Sequence, residues 1–433
     1  MQTSSRDSGL VRAIGPWALA AGAVSMIVGA GIFAVPSMLA ASVGPYGPLA
    51  LLGCGIAVGA VAICFAEGGS RIPTSGGVYG FVAAAFGPLA GYVCGTLFTV
   101  ACLLACGGVA AALADVVTTL VPARVAALAH AAVIFGVIVG IALINISGVE
   151  RAARLVTATT ILKLIPLILF ILIGAAFVHA ANFTQGPRPQ AQEFGRALIL
   201  GVFAFIGMET PLCASGEVYR PSQTIPRALG LTMLFTTALY VLIQAIAQGI
   251  LGPSLASSKA PLADAMAHVH PLLRALMLAG GAISMFGYIG SDILGSPRQL
   301  FAFARDGLLP AFLGRLHRRS HAPYAAILVY AGFALLLAFT GTFSELAALS
   351  ALAIAPIYIG GCLAAWVLAR RGVALAGQPL NFRFLGAAVA LGTASMLALI
   401  ALGSRQEILG LAGLIALSIL IYVVQSRFAL ART

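Results

Sequence analysis

The chain has 433 residues, of which 61% are hydrophobic and only 8% charged. A soluble globular protein cannot cover that much apolar surface, so the composition places the chain in a membrane. The net charge of +12 does not point to a nucleic-acid partner, because the cations are sorted between loops rather than clustered.

Met1 to Gly15 is polar and lacks the short apolar core and small-residue cleavage site of a secretory signal, so the first apolar segment is expected to be retained. About twelve runs near the spanning length follow. They lie near 16–40, 47–66, 84–117, 125–145, 152–178, 195–217, 228–251, 271–303, 323–340, 345–369, 384–403 and 406–425. Several exceed the spanning minimum, which implies tilt or extension beyond the bilayer. The first run is broken at Val28-Gly29-Ala30-Gly31-Ile32-Phe33, and the sixth around Phe205-Ile206-Gly207-Met208-Glu209-Thr210-Pro211. Lipid offers no hydrogen-bond partners, so unwound backbone at mid-membrane must be buried or line a cavity. Paired breaks in corresponding segments point to the substrate site of a secondary transporter.

The expected architecture is all-α and integral to the membrane, one transmembrane domain over 1–433. Two inverted repeats of five spans cover 16–178 and 195–369, and the last two spans cover 384–425. With the N-terminus inside, seventeen of the 24 Lys and Arg fall in cytoplasmic segments and six on the opposite side, leaving Lys163 within a span. That bias predicts cytoplasmic termini. The seven cysteines sit in apolar runs without metal-ligand or disulfide spacing and read as small buried hydrophobes. The histidines share no helix face with a carboxylate or cysteine set, so no metal or other cofactor is expected.

Several motifs, in order, resemble those of the amino acid–polyamine–organocation transporters. They are GAGIFAVP in the first span, AEGGSRIPTSGGVYGFVAAAFGPLAGY after the second, FAFIGMET in the sixth and GSPRQLFAFARDGLLP at the end of the eighth. Nearly the whole chain is covered. The resemblance implies a LeuT-like core of five plus five inverted spans with broken helices 1 and 6, the ligand lying between helices one, three, six and eight.

At the first break, Gly29 and Gly31 let the backbone leave helical geometry and a ligand approach closely. An amino acid's carboxylate suits the N–H groups opening the next half-helix, and its ammonium suits freed carbonyls, here those of Ile27, Phe203 and Ile206. Similarity to an arginine/agmatine antiporter of that family aligns Ala30 and Gly31 with carboxylate-binding positions, although the antiporter has serine in place of Ala30. Phe203 stands where the same relative carries a tryptophan that covers the substrate. Cys102 and Cys106, four apart, share one face of the third helix, and the relative has an asparagine at Cys106.

Lys163 is the only lysine at mid-span, where an ammonium costs several kcal/mol and marks a pathway or a pair. It matches a fifth-span lysine that stands in for sodium in proton-linked or exchanging relatives. Protonated, it bridges carbonyls of the broken first span and the eighth span; deprotonated, it releases them. Glu209 matches a glutamate linked to pH sensing in antiporter relatives, and either exchanges a proton or locks unwound backbone. Asp292 aligns with a bulky aromatic in the antiporter. It either pairs with a cationic substrate or bonds Tyr288 or Ser291. Glu67 with Arg71, and Asp306 with Arg305, read as gate salt bridges or solvated caps.

The expected function is secondary transport of amino acids by alternating access, as proton-coupled symport of neutral or cationic substrates. Exchange of amino acids, amines or polyamines is the alternative. An ion channel would need a ring of charged or carbonyl groups, and a membrane enzyme a nucleophile with its base or a metal motif such as HExxH. Neither pattern is visible. The abundance of alanine, and of arginine over lysine, fits a bacterial inner membrane.

Overall fold

A computed structural model of the chain describes residues 10–29, 31–118, 121–184, 189–190, 193–194, 197–198, 201–202, 204–258, 260–340, 343–375, 377–401 and 405–430. Apart from one parallel β-bridge between Ile14 and Val218, these residues form helices and their connections. In lipid each segment has to satisfy its own backbone, and the helix does so locally. Prolines open many of the helices, at a position where the missing N–H costs nothing.

In chain order the helices are α1 (Pro16–Ile27), α2 (Gly31–Val43), α3 (Gly47–Arg71), the short α4 (Val78–Phe86), α5 (Pro88–Thr118), α6 (Ala123–Ile146) and α7 (Val149–Gly174). A turn over residues 204–209 and a 3-10 stretch, Thr210–Glu217, follow. Next come α8 (Pro221–Leu251), the short α9 (Pro261–Ala267), α10 (Pro271–Gly295), α11 (Pro297–Arg305), α12 (Tyr324–Thr340), α13 (Phe343–Arg370), α14 (Leu385–Ala401) and α15 (Arg405–Leu430). A broken segment, a long helix and a short helix thus occur twice, followed by α5, α6 and α7 the first time and by α10 continued in α11, α12 and α13 the second.

Eight helical stretches among the described residues are long and apolar enough to cross a membrane. The sequence leads one to expect about twelve. Of the other four, the first is cut short because α1 stops at the break, the ninth and eleventh form α12 and α14, apolar but shorter than a full span, and the sixth lies partly outside the described residues. α3 packs along α8, α5 along α13 and α7 along α10, and α1 is enclosed by α7, α8 and α10. Large apolar side chains such as Leu128, Leu234 and Leu409 point outward, as a lipid-facing surface requires.

Candidate functional site at the paired helix breaks

The first break begins where Val28 N–H makes the last regular bond, to Val24 O (2.8 Å), and Gly29 N–H turns back to Ile27 O (2.8 Å). Helix resumes at Gly31. The second break turns on Gly207, whose φ is +124°. A Cβ there would lie 3.0 Å from Met26 Cβ and 3.1 Å from the Met26 backbone. Glycine satisfies both the dihedral and the close approach. The two breaks therefore touch, Gly207 against Met26.

Unwinding frees carbonyls, and surrounding helices supply donors to them. Lys163 Nζ from α7 donates to Ser25 O (2.7 Å), Val28 O (2.6 Å) and Ser25 Oγ (3.1 Å). Three acceptors match the three N–H bonds of an ammonium. Ser284 on α10 donates to Val28 O (2.8 Å) and lies 3.1 Å from Gly29 O. Tyr240 on α8 donates to Ile27 O (2.8 Å), and Ser25 Oγ donates to Gly287 O (3.0 Å). One turn earlier, Ser291 bonds Gly22 O (2.9 Å) and Thr160 bonds Ala21 O (3.1 Å). Buried carbonyls left bare would each cost about 1–3 kcal/mol, so these donors make the break tolerable in a dry interior.

Two buried carboxylates flank the breaks, each capped by a tyrosine from the second half. Glu209 accepts from Tyr358 OH (2.5 Å) and from Gly207 N–H (3.2 Å) at the turn of the second break. Asp292 Oδ2 accepts from Tyr330 OH (2.6 Å) and Oδ1 from Ser296 Oγ (2.7 Å). These hydroxyls replace Tyr288 and Ser291 as partners. Ser291 is turned to Gly22, and the Tyr288 ring covers Gly29, 3.2 Å from where a Cβ would lie. Cys102 and Cys106 are buried on α5 on the Asp292 side, with Cys102 Sγ 3.8 Å from Thr210 Oγ1.

Gly31 and Ile206 are half-buried where the breaks meet, and the Ile27 carbonyl is engaged by Tyr240 and Gly29. The N–H groups of Gly31, Ile32 and Phe33 open α2 and have no partner within that helix. Ala30 and Phe203 lie outside the described residues. Sequence reading missed Tyr240, Ser284, Tyr330 and Tyr358; only their hydroxyls in otherwise apolar runs signal them.

It counted Arg298 among the cytoplasmic cations without anticipating its burial. Arg298 is fully buried, ion-paired through Nε to Glu217, with Nη2 3.2 Å from the other carboxylate oxygen and Nη1 donating to Leu294 O. Asn145 joins them: its Oδ1 lies 3.4 Å from Arg298 Nη1, and its Nδ2 donates to Ile293 O (2.5 Å). Beside this cluster, Ile14 N–H donates to Glu217 O (2.9 Å) and Tyr219 N–H to Ile14 O (2.9 Å). The segment entering α1 is thereby sewn to the end of the second broken segment. The Glu67–Arg71 pair is likewise buried rather than a solvated cap, with Arg71 Nη2 on Asn381 Oδ1 (2.6 Å) and Phe382 N–H on Glu67 Oε2 (2.9 Å). Arg305 pairs with Asp306 (2.8 Å), which also accepts from Tyr79 OH (2.7 Å).

The family model that describes amino acid permeases matches residues 14–425. An uncharacterized transporter of Mycobacterium tuberculosis is 32% identical over 315 residues, covering 70% of this chain and 68% of the relative. The branched-chain amino acid permease BcaP of Bacillus subtilis is 26% identical over 374 residues, covering 80% and 78%. The methylthioribose transporter of the same organism is 24% identical over 345 residues, covering 75% and 74%.

Proposed function

Because the chain belongs to the amino acid permease family, we propose that it carries neutral amino acids across the bilayer by alternating access around its two broken segments, coupled to proton movement. The observation that carries the coupling is the Lys163 ammonium, whose three donors hold Ser25 and Val28 at the first break. Loss of one proton removes one of those three bonds and turns a lone pair toward an acceptor, so the brace loosens. The carbonyls then released, at Ser25 and Val28, and the substrate-gripping N–H groups that open α2 at Gly31 lie on the two sides of one break. Protonation and substrate capture therefore act on one element.

The substrate's carboxylate sits on the N–H groups that open α2 at Gly31, and its ammonium is taken by carbonyls of the second break at Ile206; the residues before each, Ala30 and Phe203, enter only through the resemblance in sequence. Ile27 O serves the ammonium only by sharing with Tyr240. The remaining wall is weakly polar, with Cys102 and Cys106 on α5 and the Tyr288 ring over Gly29. Both oxygens of Asp292 are satisfied by hydroxyls, which favours a neutral side chain over a basic one. The branched-chain permease among the relatives agrees with an apolar side chain.

The architecture we infer has twelve spans, with inverted repeats at 16–178 and 195–369 and two further helices at 384–425. Its support is the doubled element order and a symmetric packing: inversion maps α5 onto α10 and α13 onto α7, and both pairs, α5 with α13 and α10 with α7, are in contact. The arginine bias supports cytoplasmic termini, and the bacterial origin of the relatives is in keeping with an inner membrane. The deciding experiment is uptake of labelled amino acids and diamines into proteoliposomes. Accumulation of neutral amino acids driven by an acid-outside gradient, without internal substrate, is expected. Uptake only into preloaded vesicles would replace symport with exchange, and ohmic current would replace both with a channel.

A further inference from the structure

Away from the helix breaks, one lipid-facing region joins an apolar groove to a cationic end. The groove has a volume of about 660 Å³ and lies between α3, α8 and the start of α14, with Ile56, Gly59, Gly230, Leu234 and Leu391 in its walls. Its depth comes from absent side chains: a Cβ added at Gly59 or Gly230 would meet nothing within 4 Å. From Gly55 to Ala66 the α3 wall runs about 16 Å at 1.5 Å per residue, close to half of the ~30 Å hydrocarbon core. One acyl chain of a single leaflet fits that length.

At the Arg71 end of α3 the groove meets a second cavity of about 540 Å³, and the two share Phe382, Phe384 and Ala387. Arg370 and Arg383 line it. Arg370 lies over the Trp366 ring at 4.5 Å and Arg383 over the Phe384 ring at 5.5 Å, and both are exposed. Among the described residues neither has a carboxylate in ion-pair range. The acid in this wall, Glu67, is already engaged by Arg71 and by Phe382 N–H. An apolar slot one leaflet deep that ends in two acid-free guanidinium groups has the chemistry of a phospholipid, with the tail in the slot and the phosphate between the arginines.

We propose that this region is a binding site for an anionic glycerophospholipid, independent of the transported substrate. The headgroup would rest on residues 381–384, which are tied to α3 by Arg71 through Asn381. Bound lipid thus bears on the packing of α13 and α14 against α3.

Trp366 lines the cavity and reports its occupancy. Trp17→Phe removes the other tryptophan of the chain, leaving Trp366 as the sole emitter. The full-length protein is reconstituted in phosphatidylcholine vesicles containing rising fractions of acyl-brominated phosphatidylglycerol or, separately, acyl-brominated phosphatidylcholine. Half-maximal quenching is expected at about thirtyfold lower mole fraction for phosphatidylglycerol, as two interfacial cations at about 1 kcal/mol each predict. Arg370→Gln/Arg383→Gln should reduce that preference to under twofold, and Arg370→Lys/Arg383→Lys should retain most of it. Gly59→Leu, which fills the slot, should weaken quenching by both lipids. Equal quenching by the two lipids in the parent protein, a preference that survives the double glutamine variant, or quenching unchanged by Gly59→Leu would each overturn the proposal.

Discussion

Replacing Lys163 with alanine separates the brace from the rest of the fold. The substitution removes three bonds, of 2.7, 2.6 and 3.1 Å, to Ser25 O, Val28 O and Ser25 Oγ. Hydrogen bonds from a charged donor contribute about 1.5–3 kcal/mol each, but the loss is uneven. Val28 O keeps Ser284 at 2.8 Å, and Ser25 Oγ keeps its bond to Gly287 O. The Ser25 carbonyl loses the donor that holds it. Removing a buried ammonium also returns a desolvation cost of several kcal/mol, so global stability changes little. The geometry of the break, by contrast, loses about 3 kcal/mol, on the order of a hundredfold in its population. Gradient-driven uptake in proteoliposomes should fall by about that factor and lose its dependence on the pH gradient. Ser284→Ala serves as the comparison. It also weakens the break, by about 1 kcal/mol or roughly fivefold, yet leaves the proton-carrying group in place, so its uptake stays gradient-dependent. Gradient-driven uptake in Lys163→Ala within twofold of the parent would refute the coupling argument.

Other consequences are equally accessible. Gly207→Ala places a Cβ at φ +124°, 3.1 Å from the Met26 backbone. It should cost at least about 2 kcal/mol, read as a lowered melting temperature in detergent together with lost uptake. Arg298→Ala leaves Glu217 buried without its partner and should destabilise by about 3–5 kcal/mol. Arg298→Met combined with Glu217→Leu should recover most of that loss, and a double variant no more stable than the single one would argue against a paired charge. Asp292→Asn should change the ranking of transported amino acids little, because both oxygens already face hydroxyls. Selective loss of arginine or lysine uptake would show that Asp292 reads a cation.

The readable features were those in which one residue departs from its surroundings. A single lysine in an apolar run and glycine-rich interruptions stand out because lipid penalises both, and the structure joins them: Lys163 bonds the first break, and Gly207 contacts it. Partners were less readable. Asp292 bonds Tyr330, 38 positions away, as well as Ser296 one turn on, and Glu217 meets Arg298 across 81 positions. Helical periodicity constrains neighbours three and four apart, not the helix lying opposite. The arginine count treated Arg298 as a topological charge because position in the chain does not reveal burial. Span counting assumed full-length helices, and a break is what makes α1 short.

The pairing of Ile14 with Glu217 and Tyr219 bears on how many parts must move. Two interrupted segments could swing separately, and transit would then need two events to coincide. Backbone bonds at one end join them there, so a rearrangement of either segment at that end must carry the other with it or break the two bonds. A truncation that removes Ile14 cuts this stitch and is expected to let the two segments move independently at that end.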